Sequence, residues 1–208
     1  MNRRFMEGIQ FHLEKNLKEY IIVCLIFLIG IIISLIVINN LAETQKEEIT
    51  AYICSFTNDL KENKSINDIA LLLNSVKKNI ILVFFIWFMG LTVIGIFVVY
   101  LIICFRGFCF GYTISSIILA LGNLKGIAFI ILALLLQNII FIPSLFVLAI
   151  SGARLHNSIM KNKRKENIKI EILRHTVISI IILVFLIISS IVEVYISKNF
   201  LLFFIKYF

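Results

Sequence analysis

Long apolar stretches alternate with shorter polar ones along this chain, and the pattern predicts an all-α, polytopic membrane bundle of about five spanning helices. The first stretch, residues 20–38, carries no charge and is about long enough to cross a hydrocarbon core of about 30 Å at about 1.5 Å per residue. Gly30 and Ser34 lie four apart on one of its faces, where a second helix can come close. Residues 80–104 predict a second span, longer than needed and tilted or kinked near Gly90 and Gly95. Arg106 ends it. Residues 107–121 predict a third span so short that it is either a brief crossing or a re-entrant segment. Residues 127–152 predict a fourth, in which Pro143 lacks a backbone donor and frees a carbonyl near residue 139. Residues 176–196 predict the fifth.

The polar stretches supply the connections. In residues 1–19, Phe5, Met6, Ile9, Leu13 and Leu17 fall roughly on one helical face, which fits either a surface-lying helix or a juxtamembrane continuation of the first span. Residues 39–79 carry periodic apolar positions, among them Ile49, Tyr52, Ile53, Phe56, Ile69 and Leu72. They predict two short amphipathic helices around a turn at Asn63–Asn67. Residues 122–126 make a tight turn holding Lys125. Residues 153–175 hold Arg154, Lys161, Lys163, Arg164, Lys165, Lys169 and Arg174 against Glu166 and Glu171, the strongest positive-inside signal in the chain. With that loop in the cytoplasm, counting back puts the N-terminus inside and residues 39–79 and 122–126 outside. Glu193 is expected at headgroup depth, His156 and His175 as solvated residues flanking the basic loop, and residues 197–208 as an interfacial tail.

Composition agrees with a bilayer as solvent: 61% of residues are hydrophobic and 15% charged, with mean hydropathy +1.04, whereas ordinary soluble domains are about 45–50% apolar. The net charge of +8 is taken up by topology, and no basic patch interleaved with aromatic residues points to nucleic acid. Cys24, Cys104 and Cys109 fall in apolar runs and Cys54 has no loop partner, so neither a disulfide framework nor a metal knuckle is expected. The first apolar run is too long, and lacks the small-residue site, for a cleaved leader, and reads as a retained anchor. No HExxH, GxSxG or Walker pattern occurs, and Glu47 and Glu48, being adjacent, point to different faces of a helix. The sequence therefore predicts neither an enzyme nor a bound cofactor or metal.

The interruptions of the apolar pattern concentrate between Phe105 and Pro143. FRGFCFG spans 105–111, GNLKGI spans 122–127 and QNIIFIP spans 137–143. Gly107 and Gly111, like Gly122 and Gly126, are four apart and permit close backbone approach. Gln137 and Asn138 are read as hydrogen-bonding partners for neighbouring helices. The alternative is a small transporter or channel subunit that uses this polar pair in the kinked fourth span, but the mid-membrane offers almost none of the ionisable residues that a solute path needs.

These three patterns, in this order and spacing, resemble the stage II sporulation protein M family, and the resemblance covers nearly the whole chain. It falls on Phe105, Arg106, Gly107, Phe108, Gly111, Gly122, Lys125, Gly126, Gln137, Asn138 and Pro143. Leu136 departs from it, since members often carry Pro there. Gln137-Asn138, with no Glu in that motif, sides with the sporulation-type members rather than with broader relatives. The resemblance implies a non-enzymatic protein of the cell membrane in endospore-forming bacteria, made in the mother cell and acting at the sporulation septum. It further implies partners, the peptidoglycan-degrading stage II sporulation proteins D and P, which such a scaffold recruits during engulfment. Membrane lipids and, through the glycine faces, a second copy of the chain complete the expected contacts.

Overall fold

The structure, a computed structural model, describes residues 17–61, 67–92, 94–161, 165–197 and 199. Most of the expected surface segment 1–19, the turn residues 62–66, the middle of the basic loop at 162–164 and nearly all of the tail 197–208 lie outside the described residues. Among the described residues every regular element is helical: α1 (Leu17–Asn39), α2 (Glu43–Lys61), α3 (Asp68–Gly90), α4 (Gly95–Leu121), α5 (Asn123–Ile130), α6 (Leu136–Lys161) and α7 (Lys165–Ile191). One π-helical turn, Ile131–Leu135, joins α5 to α6, and a second, Val192–Ser197, extends α7. Five segments are long and apolar enough to cross a membrane: Leu17–Asn39, Asp68–Gly90, Gly95–Leu121, Leu136–Met160 and Ile168–Ser197. The chain is thus an all-α, multi-pass membrane bundle.

Two expected boundaries are corrected. The polar stretch 39–79 does not stay outside the bundle, because its second half opens α3 and enters a span. Asn67 caps that helix, its Oδ1 accepting from the amides of Ile69 at 3.1 Å and Ala70 at 3.2 Å, which satisfies donors that a helix start leaves free. Nothing between Asp68 and Met89 breaks the helix. The chain then reverses between α3 and α4, where the amides of Leu91 and Thr92 bond to Phe88 O and Met89 O, and no break occurs at Arg106. The expected second and third spans, 80–104 and 107–121, are therefore the end of α3 and one continuous α4. Arg106 stands in the middle of α4, about 16 Å of helix from Gly95 and about 22 Å from Leu121. An apolar turn between Gly90 and Gly95 carries no hydropathy signal, and a charge that turns toward a cavity does not end a helix.

The apolar core runs through the middle of the bundle. Val23 and Phe27 of α1, Ile86 of α3, Val99 and Ile103 of α4, Leu145 and Leu148 of α6 and Leu186 of α7 are buried together. Phe27 anchors it, meeting the Phe146 ring edge-on at 5.4 Å between centroids. A smaller cluster of Ile117, Phe129 and Ile130 sits where α5 folds back along the end of α4. Pro143 is accommodated inside α6, and the irregular geometry falls two turns earlier, at Ile131–Leu135.

Candidate functional site

Helix α4 divides the bundle into two environments. One of its faces carries Gly107 and Gly111 and lies against α1. A Cβ on Gly107 would strike the Phe27 carbonyl, and one on Gly30 would strike the Cys104 carbonyl. A Cβ on Gly111 would strike Ser34 Oγ and come within 3.1 Å of Ile31 Cα. The two backbones are in contact along this seam, as small residues four apart permit. Ser34 is buried there and spends its hydroxyl on its own helix, donating to Ile31 O at 2.7 Å.

The other face opens on a polar chamber of about 330 Å³ bounded by α3, α4, α6 and the π-turn after α7. Lys78, Arg106, Gln137, Asn138 and Glu193 line it, with Ser75 and Asn79 forming the α3 wall. Asn79 donates to Leu186 O at 3.1 Å and to Ser190 Oγ at 2.8 Å. Ser75 donates to Glu193 Oε2 at 2.5 Å and lies 3.0 Å from Ser190 Oγ. These bonds tie α3 to α7 and hold the carboxylate on that wall. Ser189 Oγ donates to Gln137 O at 3.2 Å, and Asn138 Nδ2 donates to Leu134 O at 2.7 Å, satisfying a carbonyl of the π-turn. The Gln137 side chain forms no hydrogen bond among the described residues.

Arg106 is the costly member. Its guanidinium carbon lies 5.2 Å from the centroid of the Phe141 ring. Such a contact contributes about 0.5–1 kcal/mol, or about 2 when desolvated, whereas an arginine at the centre of a spanning helix costs about 2.5–3.5 kcal/mol on insertion scales. The ring alone does not offset the charge. Among the described residues neither Arg106 nor Lys78 has a carboxylate within ion-pair distance. Two cations and one carboxylate thus line one chamber of the bundle, where the sequence leads to the expectation of almost no charge.

The other motif residues scatter. Phe105 is exposed, and Phe108 stacks on Tyr112 at 5.9 Å. Gly122 turns the chain between α4 and α5 at φ +78°, a conformation in which glycine is strongly favoured. Gly126 is buried in α5, where a Cβ would lie 3.0 Å from Ile118 Cα, and Lys125 is exposed. Of the eleven expected residues, Arg106, Gln137 and Asn138 meet in the chamber and Gly107 and Gly111 build the seam; Phe105 and Phe108 lie elsewhere on α4, Gly122, Lys125 and Gly126 in the turn and α5, and Pro143 in α6. Ser75, Lys78, Asn79 and Glu193 were not expected there. Continuous helical periodicity from Asn67 onward was the signal that would have found the three on α3.

His175 is a further correction. It is 1% exposed, not solvated, with Nδ1 2.9 Å from Ser151 Oγ and, among the described residues, no hydrogen-bond partner for Nε2. A Cβ on Gly90 would lie 2.7 Å from Nε2, so that glycine makes room for the ring. Next to it, Trp87 Nε1 donates to Thr176 Oγ1 at 3.1 Å. Among the described residues no three His, Cys, Asp or Glu side chains gather where they would hold a metal ion.

Beside the chamber lies an apolar groove of about 600 Å³ between α2 and the Leu121 end of α4. Tyr52, Ile53 and Phe56 form one wall and Ser116, Ile117 and Phe129 the other; Thr113 and Leu134 belong to both groove and chamber. Compared with known families, the chain matches the one described as stage II sporulation protein M over residues 23–198. No curated protein and no solved structure matches it.

Proposed function

We propose, from the premise that the chain belongs to the stage II sporulation protein M family, that it is a non-enzymatic membrane scaffold of sporulation. In this reading it recruits the peptidoglycan-degrading stage II sporulation proteins D and P and localises them at the septum during engulfment, from the mother-cell membrane. The observation that carries it is the arrangement of one end of the bundle. Helix α2 rests against the Leu121 end of α4, beside the α4–α5 turn, so the two polar connections share a surface. Tyr52 is 73% exposed there and Leu124 89% exposed. The basic loop lies at the opposite end, and the excess of Lys and Arg in it supports a cytoplasmic placement that leaves the α2 end facing the cell wall. Replacing residues 43–61 by an unrelated amphipathic helix should abolish co-purification of the D and P proteins. Recovery of both at wild-type levels would place docking elsewhere.

The chamber favours a second reading, a small transporter or channel subunit, because ionisable residues inside a bundle often line a solute path. Exchanging Gln137 and Asn138 for Leu separates the two. Loss of solute flux with partner binding intact would sink the scaffold reading.

A further inference from the structure

We propose that the apolar groove between α2 and the Leu121 end of α4 is the seat of this chain's own residues 200–208, which strap the last span to α2. Those residues lie outside the described ones, so the inference starts from where the described chain stops. The π-turn Val192–Ser197 is held on the bundle, with Val194 1% and Ser197 4% exposed, and it packs against the other π-turn, Ile131–Leu135. Leu134 of that second turn is part of the groove wall. Depth agrees as well. On α4 the chamber takes residues 106–113 and the groove residues 112–117, farther toward Leu121. On the π-turn Glu193 borders the chamber, and Ser197 lies about one turn beyond it in the same direction. Asn199 is still helical, its Nδ2 donating to Tyr195 O at 2.7 Å. The chain thus leaves the described bundle at the depth of the groove, beside one of its walls.

The segment that follows suits that space. Residues 198–208 read KNFLLFFIKYF, enough for about 16 Å of helix or about 36 Å of extended chain. Phe200, Phe203, Phe204 and Tyr207 are spaced i, i+3, i+4, i+7, the pattern by which a helix sets one face into an apolar groove. The wall they meet is unfinished, since α2 packs chiefly on α4 and leaves Tyr52 73% and Phe56 44% exposed. The groove, at about 600 Å³, has room for a row of large side chains. Opposite charges accompany the fit, with Glu48 on the α2 wall and Lys206 the one charge within 200–208. Leu201, Leu202 and Ile205 fall on the far side of the stripe and face lipid, so a segment that is apolar nearly all round has cover on both sides. Tethering beside Leu134 gives this stripe an effective concentration on the order of millimolar, which a stripe from another chain lacks. The strap does not rest on the scaffold reading, although it covers part of the α2 surface that reading uses.

The test uses the full chain in membrane vesicles, with Cys24, Cys54, Cys104 and Cys109 replaced by Ala and one cysteine introduced on each side of the contact. Mild oxidation should join Ile53→Cys to Phe204→Cys within one chain, whereas Ile53→Cys with Leu202→Cys, on the far side of the stripe, should stay reduced. A disulfide between two chains would put a second copy's segment in the groove. Equal linking of both pairs, or of neither, would leave the segment unseated in the surrounding lipid. Each of these results overturns the proposal. If the chain without its native cysteines does not fold, hydrogen exchange carries the comparison with them in place. Removing residues 200–208 should speed exchange of the amides of residues 48–56 about ten-fold and leave α1 unchanged. Equal exchange in the two chains overturns the strap.

Discussion

The seam between α1 and α4 and the chamber between α3, α4, α6 and α7 are built from the same stretch of one helix, yet they are specified in opposite ways. On the seam side size decides: Gly30 and Gly107 face backbone carbonyls of the opposite helix, and Gly111 faces Ser34 Oγ and the Ile31 backbone. On the chamber side size is left over and charge is placed in it, with Arg106 one residue away from Gly107. In lipid there is little hydrophobic gain from pressing two helices together, so close contact and hydrogen bonds must hold the bundle. The seam supplies the first and the Asn79–Ser190–Glu193 wall supplies part of the second. A region built for contact and one built around a space should respond differently to substitution.

The largest effect is expected in the seam. Gly107→Leu drives a side chain into the Phe27 carbonyl, which belongs to a helix backbone and cannot rotate aside. Overpacking of a core costs typically about 1–3 kcal/mol, and a backbone clash belongs at or above the top of that range. Purified protein should show a clearly lowered unfolding midpoint in detergent, or elute as aggregate. An unchanged midpoint would mean that α1 and α4 are not in backbone contact.

Arg106→Leu tests the other side and should have the opposite sign. It removes a charge from mid-span at the cost of the ring contact with Phe141, so stability is expected to stay level or to rise by up to about 2 kcal/mol. A midpoint falling as far as that of Gly107→Leu would make the chamber a structural device and erase the contrast between the two faces.

The same contrast explains what could be read from the chain beforehand. Gly30 and Ser34, four apart in an uncharged run, announce a face for close approach, and the seam is found there because small-residue spacing is a local signal. The chamber was not visible, since its members come from residues 75–79, 106, 137–138 and 193, and nothing local ties them together. Worse, polarity misled. Lys78 falls in the polar stretch 39–79 and Arg106 reads as a helix end, because a charge in an apolar sequence ordinarily marks the membrane surface. The reversal between α3 and α4 carries no such signal for the mirror-image reason, since the sequence joining the two spans is nearly as apolar as they are. His175 fell to the same rule, its buried position depending on the room left by Gly90 far away in sequence.

The smallest effect is the sharpest for the seam. Ser34 is fully buried opposite Gly111, but its hydroxyl bonds Ile31 O within α1 and reaches no other helix. If size alone specifies this face, Ser34→Ala should change the unfolding free energy by less than about 0.5 kcal/mol, since one local hydrogen bond is exchanged for slightly better helix propensity. Ser34→Val adds branched carbon where Gly111 leaves no room and should cost about 1–3 kcal/mol. Measured together in one detergent, the pair isolates volume from polarity at a single position. Equal losses for Ala and Val would show that the hydroxyl matters and that the seam, like the chamber, depends on a polar group.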